Sequence, residues 1–215
     1  MRIDLFRWFM AKVISILDYG AGNIHSVGNA LSFLGFNYEI IHDQDDVLKA
    51  SCLLVPGQGA FVQAMTNLEK LNLKDVLIKH IRQQKPYMGI CLGFQILFES
   101  SQEHGGCKGL GIYAGRFESF DEKKCVVPHM GWNQLHSNEN KHMFWPFKQD
   151  NAYVYFDHSY YLNHYEDKIS VAYCKYYNKF PAVIADKAVF ATQFHPEKSG
   201  EFGLEIMKQF FKQVL

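Results

Sequence analysis

Between residues 13 and 100, short apolar runs alternate with stretches of helical periodicity. That alternation restricts the fold more than any other feature of the chain. Val13-Ile-Ser-Ile-Leu17, Tyr38-Glu-Ile-Ile41, Cys52-Leu-Leu-Val55 and Pro86-Tyr-Met-Gly-Ile90 are strand-length and rich in β-branched or bulky residues. Ile24, Val27, Leu31 and Leu34 recur at helical spacing and Gly35 stops that helix. Further helices are predicted over 60–69, 72–84 and Leu92 to Ser100. A βαβαβ order implies parallel strands, with helices covering both faces of the sheet. Sites in such sheets gather at the carboxyl ends of the strands.

The second half changes character. Segments 112–120, 124–127, 131–135, 152–156, 169–174, 182–186 and 188–194 read as short strands, several of them antiparallel. Glu201 to Val214 closes the chain as a helix, with Phe202, Ile206 and Phe210 on one face. With 215 residues, 48% of them hydrophobic, the chain suits one α/β domain: a mostly parallel central sheet flanked by helices, plus an antiparallel region. Residues 1–11 read as an N-terminal extension, with Met10 a candidate start of the core, and 12–215 as the domain.

Twenty-two basic residues balance 22 acidic ones, so bulk charge attracts neither nucleic acid nor an anionic membrane. No apolar run is long enough to span a bilayer. Asp4 and Arg7 interrupt the N-terminal apolar residues, which therefore do not read as a secretory signal, and a cytoplasmic protein is expected. The five cysteines are odd in number and lack a C-x-x-C pair, so no disulfide framework is expected. The ten histidines show no H-E-x-x-H spacing, and neither a metal nor a cofactor is expected.

Gly89-Ile-Cys91-Leu-Gly93 has the G-x-S-x-G pattern of a nucleophile elbow, with cysteine as nucleophile. Taken alone, the pattern also describes a buried cysteine between packing glycines; the preceding strand and following helix favour the nucleophile. A helix start behind Cys91 would favour the reactive thiolate. Such a nucleophile needs a base held by a third group. His195-Pro-Glu197 follows the apolar strand Val189–Phe194. Pro196, holding the chain extended, would let Glu197 reach back to the imidazole. His158 competes as the base. A tetrahedral oxyanion also needs N–H donors. Leu92, after the nucleophile, offers one, and Pro56-Gly57-Gln58-Gly59 can present another or flip away. That loop also reads as an ordinary strand-to-helix turn.

The order P-G-x-G, G-x-C-x-G, H-P-E resembles the class I (triad) glutamine amidotransferases. Asp18-Tyr-Gly-Ala-Gly-Asn23, Pro128-His-Met-Gly-Trp-Asn133, Tyr155-Phe-Asp-His-Ser-Tyr160 and Phe194-His-Pro-Glu-Lys-Ser199 narrow the likeness to the glutaminase subunits of imidazole glycerol phosphate synthase. The resemblance runs from about Lys12 to the C-terminus and implies a flavodoxin-like amidotransferase fold. It implies that Cys91, His195 and Glu197 hydrolyse L-glutamine through a thioester, with Gly57, Gln58 and Leu92 at the oxyanion. Gly59, Gln95, Glu103, Ser159 and Tyr160 would hold the glutamine. Ammonia would pass to a (β/α)8-barrel cyclase subunit in a heterodimer serving histidine biosynthesis, with Asn23, Trp132, Tyr155 and Lys198 at or near the interface. Gln58 departs from the valine usual there, and Ser119–Lys124 and 136–150 match nothing diagnostic. Related subunits that feed another acceptor, such as a sugar amidination step, remain open at this level. So do a cysteine peptidase of the same broad fold and a catalytically inert partner subunit.

Overall fold

A computed structural model describes residues 13–139, 142–145, 147 and 152–215. The expected extension 1–11 lies outside the described residues.

The first half builds the parallel sheet. Strands β1 (Ile14–Leu17), β2 (Tyr38–Ile41), β3 (Leu53–Val55) and β4 (Tyr87–Ile90) pair in the order β2-β1-β3-β4, all in parallel. Helices α1 (Ile24–Phe33), α3 (Phe61–Lys70) and α4 (Lys74–Arg82) make the connections together with a short helix α2 (Gln44–Lys49). Asn23 caps α1 by accepting the Ser26 N–H, and Asp43 caps α2 through the Asp46 N–H. Side chains alternate along each strand. Ile14, Ile16, Leu54, Met88 and Ile90 enter one core, while Leu17, Leu53, Val55 and Tyr87 enter the other.

A single-turn helix α5 (Leu92–Gln95) follows β4. The sequence predicts helix to Ser100, but Phe98–Ser101 is a strand, β5. Phe94 and Phe98 mimic helical i, i+4 spacing. Instead Phe98 packs edge-on against both Phe94 and Phe117, at 5.4 and 5.6 Å between centroids. Strand pairing with β6 (Cys107–Lys108) and β7 (Tyr113–Ser119) overrides the local pattern.

The second half returns to extend the main sheet. Strands β8 (His129–Ser137), β9 (Ala152–His158), β10 (Tyr160–Asn163), β11 (Ser170–Tyr176), β12 (Asn178–Asp186) and β13 (Val189–Thr192) follow in order. β13 pairs in parallel with β4, and β12, β11, β8 and β9 continue antiparallel, giving nine strands. β10, β7, β5 and β6 form a separate four-stranded sheet. The strand expected at 124–127 is part of a turn. Asp121 accepts the Lys123 N–H with its carboxylate and the Lys124 N–H with its carbonyl, curling the backbone. Helix α6 (Gly200–Val214) buries Ile206, Met207, Phe210 and Phe211 under the sheet, where Phe210 stacks on Phe190. Each such buried side chain contributes about 1.5–3 kcal/mol. No helix among the described residues is long and apolar enough to cross a membrane.

Candidate active site

β1, β3, β4 and β13 all end on one edge of the sheet, and the chemistry-bearing residues follow them there. Cys91 directly follows β4 with φ 53° and ψ −101°, a left-handed conformation that a non-glycine residue adopts only under constraint. Its N–H donates to the Thr192 carbonyl at 2.8 Å, and its carbonyl accepts from Phe94 and Gln95, both at 3.0 Å. A Cβ on Gly93 would run into the Val55 carbonyl, and one on Gly89 would strike Gly93, so both glycines are required for the turn to close. The expected helix dipole behind Cys91 is weak, because α5 has four residues.

His195 follows β13 and is buried. Its N–H donates to the Tyr155 carbonyl, and its carbonyl accepts from Ser199 Oγ at 2.6 Å. Ser199 Oγ also accepts the Tyr155 N–H at 2.9 Å. Pro196 does not hold the chain extended as expected. It begins a 3-10 turn, Pro196–Lys198, that brings Glu197 Oε1 to 2.9 Å from His195 Nδ1. Both side chains are 2% exposed. Nδ1–H donates to the carboxylate, which leaves Nε2 facing Cys91.

Burial opposes charge on this imidazole. The charge of the Cys91 sulfur, and then Glu197, outweigh it and raise His195 to about 10. Nε2 has no well-formed hydrogen bond. The sulfur is thus near enough to act electrostatically but outside good hydrogen-bond geometry, as is common before substrate binds. His158 is unsuited to be the base. Its Nδ1 donates to the Tyr160 carbonyl at 2.8 Å, its Nε2 faces His129 Nδ1 at 2.9 Å, and burial pushes it down to about 3.

The loop after β3 lies against the elbow. Leu92 N–H points at the Gly57 carbonyl across 3.5 Å. The loop thus offers a carbonyl where an oxyanion needs a second N–H. A Cβ on Gly57 would meet Leu92 Cβ and the Tyr19 hydroxyl. Burial keeps Tyr19 a neutral phenol, and its hydroxyl donates to the Pro56 carbonyl at 3.0 Å.

A cavity of about 230 Å³ opens over Cys91, smaller than the roughly 300–1,000 Å³ of drug-sized sites. It brings together Gln58, Gly59, Cys91, Leu92, Gln95, Glu103, Ser159 and Tyr160, all named from sequence. One Glu103 carboxylate oxygen accepts the Phe61 N–H at the start of α3. His158, which the sequence offered as a rival base, also lines the cavity, as do Pro128 and Asp157, which sequence reasoning did not place there. It also missed Gln193, whose Nε2 donates to Cys91 Sγ at 3.8 Å while its Oε1 accepts from Gln95 Nε2 at 3.2 Å. The thiol in turn is directed at the Asp157 carbonyl, 3.9 Å away. Gln193 alternates with Thr192 and Phe194 beside the catalytic motif, a signal too general to mark it.

Among the residues expected near an interface, Trp132 is 56% exposed and packs edge-on against Tyr155 at 6.3 Å. Lys198 Nζ lies 5.8 Å from the same tyrosine ring. Asn23 is exposed at the start of α1.

The sequence matches the class-I glutamine amidotransferase family over residues 15–214. It is 41% identical over 198 residues to the imidazole glycerol phosphate synthase subunit HisH of Bacillus cereus (strain G9842), covering 92% of this chain and 93% of that one. Identity to the same subunit from Listeria welshimeri is 44% over 207 residues, with 94% and 96% coverage. The chloroplastic hisHF synthase of Arabidopsis thaliana is 42% identical over 208 residues, but the chain spans 35% of that longer protein. Among solved structures, a chain of PurLQS from Thermotoga maritima superposes with a TM-score of 0.75 at 18% identity, covering 96% of this chain and 100% of that one. A crystal structure of a glutamine amidotransferase gives 0.72 at 16%, covering 94% and 98%. Those two likenesses speak for the fold, and the closer sequence relatives for the family. The chain belongs to the class I glutamine amidotransferases and, within them, to the family of imidazole glycerol phosphate synthase HisH subunits.

Proposed function

We propose that the chain is the glutaminase subunit of an imidazole glycerol phosphate synthase, with Cys91, His195 and Glu197 as its catalytic triad. The observation that carries this reading is the strained Cys91 elbow opening into a small polar cavity beside the buried His195–Glu197 pair. The Cys91 thiolate attacks the carboxamide carbon of L-glutamine. His195 gives its proton to the departing nitrogen, and ammonia leaves a glutamyl thioester. Water then attacks with His195 as base, releasing glutamate and restoring the thiolate. Glu197 holds the ring in the right orientation and stabilises its charged form.

In this reading Gln95, Glu103, Gly59, Ser159 and Tyr160 hold the amino acid, with the Glu103 carboxylate suited to its ammonium group. Leu92 N–H, joined by an N–H of the Gly57-Gln58 peptide after that peptide turns over, stabilises the oxyanion. The partner is a (β/α)8-barrel cyclase bound as a heterodimer through the face bearing Trp132, Tyr155, Lys198 and Asn23. Five free cysteines suit a reducing cytoplasm. The HisH relatives favour this reading over a peptidase, an inert subunit or delivery to another acceptor.

The test is Cys91→Ala in the complex with the partner captured from the native host. Glutamine-dependent synthesis should vanish while synthesis from added ammonia survives. Glutaminase activity that persists in this variant overturns the assignment.

A further inference from the structure

Two buried histidines, one of them on the cavity wall itself, take no part in the chemistry above. His129, on β8, and His158, at the end of β9, are 3% and 5% exposed. Their hydrogen bonds have fixed directions because backbone groups close both ends. Tyr160 carbonyl is an acceptor, so His158 Nδ1 carries the proton at 2.8 Å. His158 Nε2 must then accept, and His129 Nδ1–H donates to it at 2.9 Å. His129 Nε2 is left to accept from Asn133 Nδ2 at 3.1 Å. Asn133 is itself oriented, since its Oδ1 accepts the Gln134 N–H at 2.7 Å and its Nδ2 also donates to the Lys175 carbonyl at 3.2 Å.

This one-way chain ends at a structural seam. β9 belongs to the nine-stranded sheet and β10 to the four-stranded one, with Ser159 alone between them. The His158–Tyr160 bond spans that crossing, and His158, Ser159 and Tyr160 all line the cavity over Cys91. The far end of the chain lies on the strand that carries exposed Met130 and Trp132. Stacking holds the relay rigid: His129 is sandwiched between Tyr176 at 4.0 Å and Phe156 at 4.6 Å.

We propose that His129 and His158 are positioning residues, a relay of neutral imidazoles that fixes the inter-sheet crossing at Ser159 and so sets the wall against which glutamine binds. The role rests on the glutaminase reading above. Both rings must be neutral, since another proton would set two N–H groups against each other. Burial lowers His129 to about 4; burial, then neighbouring His129 and His195, lowers His158 to about 3.

The test combines a spectroscopic and a kinetic readout. Long-range proton–nitrogen correlation on the 15N-labelled chain at pH 7 should show both rings as the Nδ1–H tautomer, the less favoured form of free histidine. In the partner complex, His129→Phe keeps the stack but breaks the relay. Its glutamine KM should rise about five- to tenfold, the scale of one or two lost hydrogen bonds, with kcat changed less than about twofold. His158→Gln can still donate and accept, and should keep KM nearer wild type than His158→Leu does. Nε2–H tautomers or charged rings overturn the relay whatever the kinetics show. An unchanged KM in His129→Phe, or equal effects of Gln and Leu at 158, overturns the positioning role. A wild-type complex that does not hydrolyse glutamine sinks the enzymatic reading instead, and the tautomer result stands apart from it.

Discussion

Glu197 Oε1 lies 2.9 Å from His195 Nδ1 although a single proline separates the two residues in sequence. The carboxylate thus fixes the ring by a local turn, and the imidazole owes its placement to β13. Replacing Glu197 with Gln leaves an oxygen that can accept the same bond but removes the charge. On the reading of His195 as base and Glu197 as its orienter, kcat for glutamine hydrolysis should fall roughly 10,000-fold, and about a further 10- to 100-fold in His195→Ala, the scale of comparable triads. Steady-state assays of the partner complex decide this. Equal losses would assign the acid a different role.

The charge on His195 depends on Cys91. Burial alone would lower the imidazole, and the Cys91 sulfur followed by Glu197 raises it to about 10 from an ordinary 6.5. The folded-state value is the higher one, so this group's stabilising contribution is complete below pH 6.5 and fades as pH rises through about 10. Cys91→Ala removes the foremost raising influence. The His195 ring should then titrate at lower pH, measured by following its carbon-bound protons by NMR. An unchanged midpoint would mean that the sulfur does not interact with the ring.

The Gly57 carbonyl occupies the direction of the Leu92 N–H, at 3.5 Å. The free chain should therefore hydrolyse glutamine slowly. Gln58→Gly loosens the peptide that must turn over, and should raise the free chain's rate by about three- to tenfold, given glycine's access to both signs of φ. A rate that stays at the wild-type level would place the barrier elsewhere.

Trp132 offers a large, exposed ring buttressed by Tyr155, the kind of residue that dominates binding energy at interfaces. Trp132→Ala should weaken partner binding about 10- to 100-fold by calorimetry, corresponding to roughly 1.4–2.8 kcal/mol, while the melting temperature of the free chain barely moves. Unaltered affinity would exclude this face.

Features decided by near neighbours in sequence were legible before the structure. The Cys91 elbow is one, because a strand, two glycines and a helix start adjoin it. Most of the residues lining the cavity were legible through the family resemblance, although Pro128 and Asp157 were not. What escaped was set by distant partners. Phe98 forms a strand because β7 is there to pair with it, against its own helical spacing with Phe94. Helix α2 buries one residue, Val47, and so left almost no apolar periodicity to find. Gln193 and His129 gain meaning only through Cys91 and His158, 102 and 29 positions away in the chain.

Gly22 joins the Asp18–Asn23 turn to the oxyanion loop. It sits at φ +107°, and a Cβ there would lie 3.0 Å from Gly57 Cα and 3.1 Å from Gly57 N. Gly22→Ala therefore strains its own backbone by about 1–2 kcal/mol and also presses on the Gly57-Gln58 peptide, the proposed second oxyanion donor. Gly20 separates these effects. At φ +77° it carries comparable backbone strain, but its Cβ would meet the far end of the Asn67 side chain at 3.1 Å, which can move aside. Both variants should unfold at similarly reduced urea concentrations. Glutaminase activity of the complex should fall at least about tenfold in Gly22→Ala and less than about twofold in Gly20→Ala, the difference being one disturbed oxyanion contact. Parallel losses of activity would show that the turn acts through general stability, and equal retention would show that the oxyanion loop does not feel it.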